Sequence, residues 1–171
     1  MISKEENILL INPRRLFLKQ SILTTALLLF SSNRVFGALV PIKTIDLVQN
    51  DLFPFANQQG VDTAAYINII LNHTHVSYED KIFIRNGVQW LNEEALRVYT
   101  KTYIQLQAEQ RERILSIISQ ENWGELWIER ILSYIMEAMF SDKIYGVNAA
   151  EAGQKWLEHS NGLPRPSKAF L

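Results

Sequence analysis

His73 and His75 stand two residues apart, and Glu137 and Asp142 stand five apart; these are the pairs whose types and spacing could carry chemistry in this chain. Two imidazoles at i and i+2 converge on a strand and diverge on a helix. Here they close a helical pattern, so a helix-terminal or surface role is expected rather than metal ligation. The carboxylates bracket the end of a tryptophan-rich run, where an acid pair could act as general acid and base, although acidic groups at a helix end more often cap it or face solvent. Trp90, Trp123, Trp127 and Trp156 could build a sugar-stacking platform, yet aromatic residues at helical spacing are more often core.

Other chemistries lack their residues. No Gly-x-Gly-x-x-Gly follows a strand pattern, no Walker sequence is present, and no Gly-x-Ser-x-Gly offers a serine elbow. The absence of Cys removes disulfides, thiolate zinc sites, iron–sulfur clusters and covalent haem attachment. The 171 residues carry 17 Lys and Arg against 18 Asp and Glu, a formal charge of −1. Nucleic acid is therefore not an expected partner, because phosphate contacts need a basic excess. No cofactor and no metal is expected in this chain, and no catalytic residue.

The elements that must position these groups read as helices. Ile42 to Leu52 is periodic and stopped by Pro54, and a loop from Phe53 to Gly60 should follow. Asp62 is the expected N-cap of a helix from Thr63 to Asn72, and Ser77-Tyr78-Glu79-Asp80 opens a longer one. In that helix Ile84, Val88, Leu91, Ala95 and Val98 mark one buried face. Gln105 to Ser119 repeats the texture. From Glu121 to Phe140 the apolar face is very wide, which suits either a central bundle helix or one shared between its own core and a partner. Ser141 to Asn148 is turn-rich, a short helix over Ala149 to Glu158 is expected, and Gly162 to Pro166 is extended by its prolines. With no alternating strand pattern, the fold class is all-α, a compact helical bundle.

The N-terminal 37 residues differ in kind. They hold Lys4, Arg14, Arg15, Lys19 and Arg34 against only Glu5 and Glu6, which leaves the remainder with 12 basic and 16 acidic residues. Arg14-Arg15-Leu16-Phe17-Leu18-Lys19 precedes an apolar run from Ile22 to Phe30, and Gly37-Ala38 follows: the order of a signal peptide. The run covers about half of the ~20 residues a spanning helix needs. Arg14, Arg15, Phe17, Leu18 and Lys19 resemble the twin-arginine consensus, with Pro13 where Ser or Thr is usual, and the weak hydrophobicity and late Arg34 suit that route. The expected organisation is a twin-arginine signal over 1–37, cleaved between Gly37 and Ala38, and a single helical domain over 38–171. Twin-arginine passengers cross folded, carrying cofactors or bound to partners that do.

The final third then adds a pattern. Trp127, Glu137-Ala138-Met139-Phe140-Ser141-Asp142-Lys143-Ile144-Tyr145-Gly146-Val147-Asn148, Gly153, Trp156-Leu157 and Gly162-Leu163-Pro164-Arg165-Pro166 resemble the small subunit of the gluconate 2-dehydrogenase type, the subunit 3 family. That family has roughly Phe-x-Asp-Pro-x-Tyr-Gly-Gly-Asn, a Gly-Trp step and a closing Gly-x-Pro. Lys143 replaces the Pro and Val147 the second Gly; the latter implies either that the backbone there needs no positive φ or that the loop differs in detail.

The resemblance implies a non-catalytic small subunit of a periplasmic dehydrogenase for sugars or polyols, associated with the inner membrane through its partners. Those partners would be a large FAD-binding subunit of the glucose-methanol-choline type, a multihaem cytochrome c carrying haem c, and the twin-arginine translocase. The small subunit would supply the export signal for the flavoprotein and support its maturation. Phe140, Tyr145, Gly146, Asn148, Trp156 and Arg165 are the candidate interface residues, although for Tyr145 and Trp156 pinning the loop to their own core is the favoured role over direct contact. Two rivals remain: a stand-alone periplasmic sugar-binding helical module, and a small hydrolase using Glu137 and Asp142.

Overall fold

A computed structural model describes residues 36–160 and 162–169, with side chains from 42 onward. Arg14, Arg15, Phe17, Leu18 and Lys19 lie outside the described residues. From Leu39 onward the chain forms one unit, Leu39–Leu171. Among the described residues there are seven α-helices: α1 (Phe36–Leu52), α2 (Pro54–Gln58), α3 (Thr63–Asn72), α4 (Tyr78–Tyr99), α5 (Ala108–Ile118), α6 (Asn122–Phe140) and α7 (Ala152–Trp156). Two 3-10 turns, Tyr103–Gln105 and Lys143–Tyr145, join them, and no strand occurs among these residues, so the fold class there is all-α as expected. The expected cleavage point, Gly37 and Ala38, falls in the first turn of α1.

Helix starts follow the capping residues. The Asp62 carboxylate accepts from the Ala65 N–H at 2.8 Å and the Ser77 hydroxyl from the Asp80 N–H at 3.0 Å, each satisfying a donor that a helix N-terminus leaves open. Glu79 and Asp80 add negative charge in the first turn of α4, where the helix dipole favours it.

Three boundaries and one position of an expected buried face differ from the sequence reading. The segment from Phe53 to Gly60 is not all loop, because Pro54 takes the first position of α2, where its fixed φ and missing N–H cost nothing. Val98 is 37% exposed, since α4 ends at Tyr99 and Thr100 turns left-handed with φ 56°. Helix α5 begins at Ala108 rather than Gln105: Leu106 is buried but extended after the 3-10 turn, and the Gln110 side chain accepts from the Gln107 N–H at 3.0 Å. Helix α7 is shorter than Ala149 to Glu158, because Glu151 is left-handed at φ 53° and cannot continue a helix backwards.

Helix α6 is the central element and packs against α3, α4, α5 and α7, which accounts for its wide apolar face. Trp127, Ile131, Ile135 and Met139 on it are completely buried, each such side chain contributing roughly 1.5–3 kcal/mol of burial. The Trp127 indole N–H donates to the Ile84 carbonyl of α4 at 3.2 Å. That approach depends on Gly87, where an added Cβ would lie 2.1 Å from the indole ring. A second tie joins α1 to α5: Asp51 accepts from the Tyr103 hydroxyl at 2.8 Å and from Arg111 Nε at 2.7 Å and Nη2 at 2.9 Å. Burial of the phenol first, and the Asp51 carboxylate second, push the Tyr103 hydroxyl well above its ordinary value.

Candidate functional site

The loop after α6 is organised by one side chain. Asn148 is completely buried, and its amide donates to the Met139 carbonyl at 2.7 Å, the Ser141 carbonyl at 3.1 Å and Gln154 Oε1 at 3.0 Å. Its own oxygen accepts from the Ala152 N–H at 2.8 Å, the first residue of α7. Gln154 in turn donates to the Phe140 carbonyl at 3.0 Å. The orphan carbonyls at the end of α6 and an orphan N–H at the start of α7 are thereby satisfied by two side chains. Asn148, grouped by sequence with the candidate interface residues, is buried here with its side-chain amide turned inward, in the position of a scaffold for the loop.

The rest of the loop is built around this hub. Asp142 caps the 3-10 turn by accepting from the Ile144 N–H at 3.0 Å. Lys143 follows at the first position of that turn, where Pro would also fit, so this departure from the family pattern leaves the turn intact. Gly146 is exposed and left-handed at φ 76°, a conformation in which any side chain would strain the backbone. Val147 is not among the residues of positive φ; it is buried, and its carbonyl accepts from the Asp62 N–H at 2.9 Å. Of the two readings left open for Val147, the first is the one observed. Tyr145 is half-buried against the core.

Phe140, Trp156 and Leu157 form the exposed side of the same region, at 38%, 51% and 58% exposure. The Phe140 ring lies against Gly153 in α7. Trp156 packs on Phe55 and Phe53 of the α1–α2 corner, at ring separations of 5.4 and 6.4 Å. Phe53 and Phe55 were missed as site residues; their only signal is an aromatic pair flanking Pro54. Arg165 donates to Asp142 at 3.3 Å and also pairs with Glu151, so it ties the C-terminal segment to the loop. The Glu151 hydrogen bond, opposed by partial burial, raises the guanidinium above its usual value. The C-terminal segment has a cis Leu163–Pro164 peptide and no regular element among its described residues.

The other candidates resolve differently. Glu137 accepts from the Tyr66 hydroxyl at 2.9 Å, linking α6 to α3, while Asp142 is engaged with Ile144 and Arg165. Each carboxylate thus has its own structural partner. Burial first and the Glu137 hydrogen bond second raise the Tyr66 hydroxyl above its ordinary value. His73 is the C-cap of α3, and its Nδ1 accepts from the His75 N–H at 3.2 Å, in keeping with the helix-terminal expectation. Among the described residues no three His, Asp or Glu side chains are grouped to hold a metal ion. The tryptophans are not one platform: Trp127 is core, Trp90 and Trp123 form a pair, and Trp156 belongs to the exposed region. No helix among the described residues is long and apolar enough to cross a membrane.

The model of the family described as gluconate 2-dehydrogenase subunit 3 matches residues 42–162. The chain belongs to that family. The match runs from within α1 through α7 and includes the Asn148 hub and Trp156. Subunit 3 is a small subunit of a dehydrogenase complex, so membership implies association with such a complex. No curated protein and no solved structure matches the chain.

Proposed function

We propose that this chain is the non-catalytic small subunit of a periplasmic, membrane-associated FAD-dependent dehydrogenase of sugars or polyols, and that it carries the flavoprotein through the twin-arginine route. The observation that carries the reading is the subunit 3 family match over residues 42–162 in a chain whose N-terminal segment reads Arg14-Arg15-Leu16-Phe17-Leu18-Lys19. The large subunit is of the glucose-methanol-choline type and binds FAD; a multihaem cytochrome c carries electrons onward.

This chain's own contribution is binding. The Asn148 hub and the Arg165 ion pairs fix the loop and α7, and that rigidity holds Phe140, Trp156 and Leu157 on the surface at no further ordering cost when a partner docks. A few aromatic anchors on a fixed frame are what such interfaces depend on. The leader, read by the translocase, then exports the assembled pair, and cleavage after Gly37 leaves most of α1 in place.

The test is isolation of the tagged protein from the envelope of its native host. Flavin absorbance and a large co-purifying chain are expected, and Arg14→Lys with Arg15→Lys should leave that flavoprotein in the cytoplasm. Recovery of the protein alone and without flavin, even after mild cross-linking, would sink the reading. One observation favours the sugar-binding alternative, the groove beside Trp90 and Trp123 that Glu93, Glu94 and Glu121 also line. Saturable binding of a sugar to the isolated protein would support it.

A further inference from the structure

A groove of about 460 Å³ opens between α4, the end of α5 and the start of α6. Its walls include Trp90, Glu93, Glu94 and Arg97 from α4, with Glu121 and Trp123 opposite. The two indoles meet edge to face, 5.2 Å between centroids at 67°, and Trp90 is braced by Phe83 at 6.4 Å. Indole faces are electron-rich and attract cations, guanidinium most often.

The charges on the walls point the same way. Arg97 is paired with Glu94, three residues before it on the same helix. Glu93 receives only the neutral Gln89 amide, at 2.8 Å, and neither Glu93 nor Glu121 has a cationic partner among the described residues. Two uncompensated carboxylates beside two indoles form a negative concavity. A cationic side chain carried by a docked protein is held there by the rest of the interface as well as by the groove, so it binds more tightly than the same group free in solution.

We infer that this groove seats an arginine or lysine side chain of the dehydrogenase partner, a second anchor separate from Trp156. The inference rests on the subunit reading for the identity of the partner and on the groove alone for its chemistry. The experiment compares the tagged full-length chain with its Glu93→Gln, Glu121→Gln double variant, whose fold is checked by circular dichroism. The double variant should retain about tenfold less flavoprotein. Raising salt from about 0.1 M to about 0.5 M should weaken the wild type and leave the double variant unchanged, because exposed charges are screened over less than ~10 Å.

Equal retention by both chains overturns the inference while leaving the subunit reading intact. If the wild type captures no flavoprotein, the subunit reading fails, and tryptophan fluorescence of the isolated chain decides the groove. A saturable response to N-acetyl-arginine amide, absent with the citrulline analogue and absent in the double variant, keeps the cation site. The same response to both probes, or none to either, removes it.

Discussion

Asn148 and Trp156 belong to one stretch of family-specific sequence, yet they have opposite fates. Asn148 is wholly buried, with its amide engaged in four hydrogen bonds that join the end of α6 to the start of α7. Trp156, on that same α7, leaves 51% of its surface exposed and packs its ring on Phe53 and Phe55 of the α1–α2 corner. One half of the signature holds the loop, and the other half is held. A residue that distinguishes a family need not touch the family's partner, and burial is what separates the two cases.

Breaking the holding half should have the largest effect. Asn148→Ala leaves the Met139 carbonyl and the Ala152 N–H without this partner, leaves the Ser141 carbonyl with only the Gln154 amide at 3.5 Å, and removes the neighbour of Gln154 Oε1. Buried polar groups stranded in this way cost ~1–3 kcal/mol each, so a loss of about 3 kcal/mol is expected, read as a fall of the urea midpoint by about 1 M or more. A loss below about 1 kcal/mol would mean that the loop does not depend on this side chain. Partner capture should fall as well, because the exposed half would lose its frame.

A polar tie outside the signature sharpens the contrast. Tyr103→Phe removes the hydroxyl that donates to Asp51, while Arg111 still holds that carboxylate through two hydrogen bonds. The expected loss is about 1 kcal/mol with flavoprotein capture unchanged. Tyr66 and Tyr103 both have their hydroxyl pKa raised above the ordinary 10.0, chiefly by burial. Above pH 10 the unfolded chain therefore releases these protons while the folded chain keeps them. Their contribution is complete below that pH and is lost as pH rises beyond it. Alkaline denaturation curves should show a decline starting near pH 10 that is shallower in Tyr103→Phe; parallel curves would contradict this.

Much of the frame was legible because it is written locally. Asp62 and Ser77 act within three residues of themselves, and the stripe Trp127, Ile131, Ile135 and Met139 repeats at the helical period. Some boundaries were set by backbone states with no side-chain signal, such as Glu151 at φ 53°, while the starts of α2 and α5 rest on Pro54 and on the Gln107–Gln110 cap. Long-range partners were also hidden. Nothing in the sequence brings Asp51 to Arg111, Trp127 to Gly87 or Phe55 to Trp156, since those meetings depend on how helices pack. For the same reason Asn148 was read with its exposed neighbours, because polarity alone suggests a surface.

The displayed half is tested by a change with a small effect on stability. Trp156→Ala deletes ring contacts with Phe53 and Phe55, and aromatic pairs of this kind contribute roughly 0.5–1.5 kcal/mol. Since the side chain is half exposed already, a stability loss of about 1 kcal/mol is expected, well below that of Asn148→Ala. Capture of the flavoprotein, by contrast, should fall about tenfold or more, as for an aromatic anchor at an interface. Asn148→Ala should lose stability first and binding as a consequence, whereas Trp156→Ala should lose binding with a much smaller fall in its unfolding midpoint. If Trp156→Ala retains the flavoprotein as well as the wild type does, Trp156 belongs with Asn148 as a packing residue. The contact surface would then lie elsewhere on the bundle, with the groove beside Trp90 and Trp123 as the next place to look.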